Sequence, residues 1–120
     1  MQITQRVIYG TLALRELSRS GGTLSGDDIA RRLNISIPYA VKVLQLLRSG
    51  GLVDARKGTQ GGYFLVKSLH QTPVLDLIRA VDGGLVDDDP GDSKDMAAIR
   101  KKLRYNLIHR GLGRPVSSLL

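Results

Sequence analysis

The chain has 120 residues, 42% of them hydrophobic, with a formal net charge of +7 at pH 7 and no cysteine. This length suits one domain near the small end of what buries its own core. The missing cysteine excludes disulfides, reactive thiols and thiolate metal sites built from these residues. No apolar run reaches the ~18 residues of a membrane span and no signal-peptide pattern opens the chain, which predicts a cytoplasmic protein without a membrane partner.

The charge changes sign along the chain. Residues 1–67 sum to +6, residues 68–92 to −5 and residues 93–120 to +6. The positive balance predicts a polyanionic partner without choosing between nucleic acid and an acidic membrane surface. This change of sign suits a DNA-binding module at the N-terminal end, and the residues that follow it would have a different role.

The first predicted helix runs from Thr4, a candidate N-cap, to Arg19. Apolar residues such as Val7, Leu12 and Leu14 recur along it in a broad stripe, which is the pattern of a helix packed on a core.

Residues 25–49 predict two helices joined by a tight turn. Ser25 is a candidate N-cap for the helix Asp27–Leu33, whose first turn carries carboxylates that favour the positive end of the helix dipole. Asn34 tolerates the left-handed backbone of a tight turn, and Ser36 can cap the helix Ile37–Ser49.

The helix Ile37–Ser49 has an apolar stripe, which includes Val43, Leu44 and Leu47, and a polar face. A recognition helix in a DNA major groove needs this pattern, and the alternative is a core helix with a solvated face. The candidate DNA contacts here are Ser36, Pro38, Tyr39, Lys42 and Gln45.

Two β-rich runs, Leu52–Arg56 and Tyr63–Val66, flank a glycine-rich segment and predict a hairpin that follows the two helices as a wing. Its glycines let the backbone approach a phosphate or a minor groove. The segment does not fit a phosphate-binding loop, because a strand rather than a helix follows it. The candidate DNA contacts in the wing are Arg56, Lys57, Gly58, Thr59, Gln60 and Gly61.

After the wing, Thr72 is a candidate N-cap and Pro73 a candidate first residue of a mostly buried helix that ends at Gly83. The acidic run Asp87–Asp92 is not assigned as a calcium loop, because such a loop ends in a glutamate and the chain's one Glu is Glu16. We expect a mobile acidic loop and no metal site.

Residues 95–110 predict a last long helix. Met96, Ile99, Leu103 and Leu107 recur every three or four residues and form a narrow apolar stripe, similar to the seam of a coiled coil. The alternative is that this stripe packs on the chain's own domain.

Five motifs occur in order: Asp28-Ile29-Ala30, Ile35-Ser36-x-x-Tyr39, Leu47-Arg48-x-x-Gly51-Leu52-Val53, Lys57-Gly58-x-x-Gly61-Gly62-Tyr63-x-Leu65 and Asp76-x-Ile78-x-Ala80-Val81-Asp82-Gly83. Together they resemble the IscR/NsrR-type (Rrf-two) family of bacterial winged-helix transcriptional regulators. The resemblance begins near Met1 and weakens beyond Leu85.

The resemblance implies a mainly α fold with a small β-hairpin: a winged helix-turn-helix domain in residues 1–84, an acidic loop in 85–94, and a long dimerisation helix with a short tail in 95–120. It also implies that Thr4 and Arg6 meet the DNA backbone and that Ile99, Leu103 and Leu107 pair across a two-fold axis. Many members hold an iron–sulfur cluster on cysteines that this chain lacks, so we expect no cofactor.

These features predict a homodimeric, sequence-specific DNA-binding regulator that acts on a pseudo-palindromic operator in double-stranded DNA, as a repressor or, less often in such proteins, an activator. A small-molecule or protein effector would act through residues 72–95. The carboxylates lie in helix caps and in the loop and no nucleophile motif occurs, which predicts that the protein is not an enzyme. The alternative is a winged-helix protein-interaction or scaffold module that does not read DNA, which would lack steeply salt-dependent DNA binding.

Overall fold

The computed structural model describes residues 5–81 and 114–120. Its elements, in chain order, are α1 (Gln5–Ser20), α2 (Gly26–Leu33), α3 (Ile37–Ser49), β1 (Val53–Arg56), β2 (Gly62–Leu65), a 3₁₀ helix (Leu69–Gln71), α4 (Val74–Val81) and a second 3₁₀ helix (Val116–Leu119). The prediction of a mainly helical fold with one small hairpin is confirmed. The predicted helix in 95–110 and the acidic loop lie outside the described residues.

Local capping sets the bounds of α2. The Ser25 side chain accepts a hydrogen bond from the Asp28 backbone N–H at 3.1 Å, and the Ser25 N–H donates to the Asp28 carboxylate at 3.0 Å. This reciprocal capping box satisfies two amides that a helix start leaves unpaired. Asn34 ends the helix in the left-handed conformation, with φ of 55°. The predicted cap and turn residues are therefore confirmed.

The helix α3 begins and ends where its sequence signals predict. The Ser36 side chain accepts from the Tyr39 N–H at 3.2 Å, and Gly50 and Gly51 follow the last residue, Gly51 with φ of 80°. The N-terminal half of α3 packs closely on α2: a Cβ built on Gly26 would come within 2.7 Å of a Val41 methyl.

The core is aliphatic, as the composition predicts. Its fully buried hydrophobic side chains come from every helix, from β1 and from the tail: Leu14, Leu17, Ile29, Val43, Leu44, Leu47, Val53, Leu77, Val81 and Val116. Gly10 allows α1 to approach α4, since a Cβ there would lie 3.1 Å from a Val81 methyl and 3.2 Å from a Leu77 methyl.

The wing is an antiparallel hairpin extended by a short bridge to the segment between α1 and α2. Val53 pairs with Leu65 and Arg56 with Gly62. Leu24 and Tyr63 exchange two backbone hydrogen bonds, of 3.0 and 2.8 Å. The second strand of the wing is thus joined to the segment between α1 and α2.

The start of α4 differs from the prediction. α4 begins at Val74, one residue after the predicted start, and the Thr72 hydroxyl donates to the Ser68 carbonyl at 2.9 Å. Pro73 precedes α4 and forms a bridge with Pro115. The Val74 N–H donates to the Arg114 carbonyl at 2.8 Å, and residues 114–120 therefore pack against the start of α4.

Candidate nucleic-acid interface

The exposed face of α3 carries Pro38, Lys42 and Gln45, which are spaced four and three residues apart and so lie on one side of the helix. On the opposite side Ala40 and Leu44 are fully buried. The structure therefore brings these three predicted residues together on a convex solvent-facing surface, while the opposite side of the helix is anchored in the core.

Ser36 lies exposed at the N-terminus of this helix. Its oxygen accepts the Tyr39 N–H, but a serine hydroxyl also carries a proton that it can donate. The N-terminus of a helix favours anions through its free amides and its dipole. Ser36 can therefore cap α3 and still donate to a phosphate.

Tyr39 is half-buried, and its ring packs edge-to-face against Tyr9 of α1. The ring centroids lie 5.6 Å apart and the ring planes meet at 88°. The sequence analysis did not identify Tyr9. No local signal could have found it, because the contact joins residues of two different helices.

Arg48, at the end of α3, forms an ion pair with Asp54 of β1 at 3.1 Å. Both side chains are about half exposed, so this pair adds little stability, but it links α3 to the first strand of the wing. The polar face of α3 therefore continues into the hairpin.

The tip of the wing, residues 57–60, is exposed. Arg56, at its base, places its guanidinium 4.8 Å from the centre of the Phe64 ring, a cation–π contact that orients the side chain. Lys57 forms no ion pair with any residue in the described ranges. The wing thus carries one oriented and one unpaired positive charge.

Two glycines shape the tip. Gly58 has φ of 110°, a conformation that other residues rarely adopt. Gly61 donates its N–H to the Gly58 carbonyl at 3.0 Å, and a Cβ on Gly61 would collide with the Arg56 carbonyl oxygen. Both positions therefore need glycine for the turn itself.

Thr23 positions the tip from outside the hairpin. Its hydroxyl donates to the Gln60 carbonyl at 3.1 Å, across 37 residues of sequence. The sequence patterns do not predict this contact. The one available signal was the β-branched Thr23 directly before Leu24, a weak indication of extended backbone.

The remaining predicted residues lie at the start of α1 or outside the described residues. Arg6 lies half-buried in the first turn of α1. Thr4 and the predicted dimer residues Ile99, Leu103 and Leu107 lie outside the described residues. Within the described ranges, no three His, Asp or Glu side chains gather as metal ligands, and no helix has the length and apolarity to cross a bilayer.

A capped helix pair joined by a left-handed turn, followed by a basic hairpin, defines a winged helix-turn-helix domain. The sequence model of the Rrf2 family, described as iron-dependent transcriptional regulators, matches residues 3–104. The chain belongs to this family, as its motifs predict.

The relatives are regulators with longer chains. This chain is 34% identical over 84 residues to protein rrf2 of Nitratidesulfovibrio vulgaris, an alignment covering 68% of this chain and 56% of that protein. It is also 34% identical over 84 residues to the HTH-type transcriptional regulator IscR of Cronobacter sakazakii, covering 68% and 52%. The chain thus spans about half the length of the curated relatives it matches.

Two solved structures share the fold. IscR of T. potens is 26% identical, with a TM-score of 0.70 over 99% of this chain and 85% of that one. CymR of B. subtilis, described as the global cysteine regulator, is 22% identical, with a TM-score of 0.71 over 99% and 95%.

The family is described as iron-dependent, but these residues supply no thiolate that could hold an iron–sulfur cluster. Iron–sulfur clusters are held mainly by cysteine, and none occurs among the 120 residues.

Proposed function

We propose that this chain is a sequence-specific DNA-binding transcriptional regulator that works as a homodimer and without a cluster on its own residues. The observation that carries the proposal is that α3 has an exposed polar face and that the hairpin linked to it by the Arg48–Asp54 ion pair has an exposed basic tip. Membership of a family of transcriptional regulators supports it and gives no support to an enzymatic activity.

In this proposal α3 enters the major groove. Gln45 can pair with an adenine edge and Lys42 with guanine acceptors, since both side chains are exposed on the same face of the helix. Ser36, Pro38 and Tyr39 lie at the helix start, where contacts to the phosphate backbone fix the position of the protein on the duplex.

The wing would lie along the neighbouring minor groove. Lys57 and Arg56 supply the charge that a narrow minor groove attracts. Gly58, Thr59, Gln60 and Gly61 form a tip without bulky side chains, which the backbone needs for a close approach. Thr4 and Arg6, at the start of α1, would add contacts to phosphates.

The dimer would form through the stripe of Ile99, Leu103 and Leu107, whose spacing suits a helix pair across a two-fold axis. Two-fold symmetry then predicts a pseudo-palindromic operator with half-sites about one helical turn, or a multiple of it, apart. Sedimentation tests this part: Leu103→Asp should give a monomer and Lys102→Ala should not. A dimeric Leu103→Asp protein would exclude the stripe as the interface.

We assign repression because a dimer bound across a promoter excludes other proteins from the same DNA without a further contact. The signal would reach the DNA-binding surface through a small molecule or partner protein bound at residues 72–95. Transcription in vitro from a promoter that carries the selected operator tests the sign: repression lowers transcript, and a rise would make the protein an activator.

The decisive experiment is selection of bound sequences from a randomised DNA pool, followed by affinity measurements at two salt concentrations. A palindromic motif and a steep fall of affinity with salt are expected, because each contacted phosphate releases counterions. Lys42→Ala should weaken binding to the selected motif more than to unrelated DNA. Lys67→Ala, an exposed lysine outside α3 and the wing, is the matched control. Weak binding without a motif would favour the scaffold alternative.

A further inference from the structure

Tyr9 and Tyr39 form a ring pair where α1 meets the first turn of α3. Their perpendicular planes and their centroid distance of 5.6 Å match the edge-to-face arrangement that aromatic rings prefer. Both residues are half-buried, so the pair lies at the border between the core and the exposed face of α3.

The backbone on each side of the pair is fixed by tight packing. Next to Tyr9, Gly10 is buried, and its Cα hydrogens face Leu77 and Val81 so closely that a methyl group would not fit without a shift. Next to Tyr39, Ala40 is fully buried. The freedom that remains at the pair is side-chain rotation.

Rotation of Tyr39 matters because its hydroxyl is far from its Cα. An unrestrained side chain has three staggered χ1 wells, and each places the hydroxyl at a different point. The hydroxyl lies on the long axis of the ring, so a contact that fixes the ring also fixes the hydroxyl. Ser36 and Tyr39 share the N-terminal turn of α3, where the helix favours a phosphate.

We infer that Tyr9 is a positioning residue for DNA binding, whose ring holds Tyr39 in one rotamer and so presents the Tyr39 hydroxyl to a backbone phosphate at the N-terminus of α3. The inference rests on the proposed function for its DNA step. Tyr9 acts through its ring and not through its hydroxyl, and this separates it from a residue that touches DNA.

The first test needs no DNA. Three-bond NMR couplings across χ1 of Tyr39 are measured in the wild type, in Tyr9→Phe and in Tyr9→Leu. One dominant rotamer is expected in the first two proteins, because phenylalanine keeps the ring contact, and averaging among rotamers is expected in Tyr9→Leu. A single rotamer of Tyr39 in Tyr9→Leu would overturn the inference.

The second test measures affinity for the selected operator and for a scrambled duplex. Tyr39→Phe should weaken binding about three- to tenfold on both DNAs, since a phosphate contact carries no sequence information. Tyr9→Leu should show the same loss, and Tyr9→Phe should stay within about twofold of the wild type. The double variant Tyr9→Leu/Tyr39→Phe should bind no more weakly than Tyr9→Leu, because both changes remove one contact.

Leu69→Ala is the control for general destabilisation: it removes a buried side chain from the 3₁₀ helix Leu69–Gln71, which lies outside α1, α3, the wing and residues 72–95. It should lower the unfolding temperature and leave DNA affinity unchanged. Equal losses in Tyr9→Phe and Tyr9→Leu, or additive losses in the double variant, would show that Tyr9 acts by another route. If the wild type selects no motif, the proposed function fails, and the χ1 couplings still decide whether the ring pair fixes Tyr39.

Discussion

Replacing Gly26, the first residue of α2, even by alanine should lower the stability of the domain, because Gly26 lies against α3. A Cβ at this position would be 2.7 Å from a Val41 methyl, where ordinary contact begins at 3.4 Å, so the two helices must move about 0.7 Å or Val41 must rotate. Rotation is costly because a β-branched side chain has one strongly preferred rotamer in a helix. Overpacking costs about 1–3 kcal/mol and replacing glycine in a helix gains up to about 1 kcal/mol, so at the middle of the first range the net loss is about 1 kcal/mol.

Thermal unfolding measures this loss directly. Gly26→Ala should lower the unfolding temperature by roughly 4–8 °C for a domain of this size. Gly22→Ala is the matched control, since a Cβ there would meet no atom within 4 Å. That variant should be as stable as the wild type or slightly more stable, because alanine restricts the unfolded chain.

The double variant Gly26→Ala/Val41→Ala identifies the contact. Removing the Val41 methyl groups makes room for the new Cβ, so the double variant should recover most of the loss that Gly26→Ala causes. An unchanged unfolding temperature in Gly26→Ala, or a loss that Val41→Ala does not recover, would refute the close-contact reasoning.

The elements that the sequence predicts well are those whose ends are set by neighbouring residues. The Ser25 cap, the left-handed Asn34 and the Ser36 cap each act within about one helical turn, so their chemistry is readable from the local sequence. The hairpin is similar, because its β-rich runs and its glycines lie within 14 residues of one another.

The sequence predicts the start of α4 one residue too early, because distant residues contact this segment. A threonine followed by proline favours a helix start. Here the Thr72 hydroxyl donates to the Ser68 carbonyl, and Pro73 forms a β-bridge with Pro115. The Val116 N–H donates to the Thr72 carbonyl at 2.7 Å, and Val116 is fully buried. The tail that forms these contacts is more than 40 residues away in sequence.

In the candidate site, too, local patterns predict which side chains are exposed but do not predict the long-range contacts. Lys42, Gln45 and Lys57 are exposed as their pattern predicts. Two contacts that orient the surface, Tyr9 with Tyr39 and Thr23 with Gln60, join residues 30 and 37 positions apart. Their partners depend on how α1 packs against α3 and the wing, which periodicity and composition do not encode.

Three further predictions concern the wing and the helix cap. Thr23→Val should weaken operator binding about two- to tenfold at nearly unchanged stability, because it removes the hydrogen bond to the wing tip; equal affinity in a binding titration would contradict this role. Lys57→Ala should lower the salt slope of binding by about one if Lys57 neutralises a phosphate, and an unchanged slope and affinity would remove it from the interface. Asp28→Asn should reduce the fall in the free energy of unfolding that occurs as the pH is lowered. The Ser25 N–H that donates to Asp28 holds the pKa of this carboxyl below its ordinary value of 3.8, and the Ser25 side chain and Arg31 act in the same direction. A lowered folded-state pKa means that the ionised carboxylate stabilises the fold above pH 3.8 and that this stability is lost as the pH falls through the folded value. Since the side chain is about one-third exposed, the effect should stay below about 1 kcal/mol. Urea unfolding at pH 3 and pH 6 checks it, and an equal pH dependence in the wild type and in Asp28→Asn would contradict the assignment.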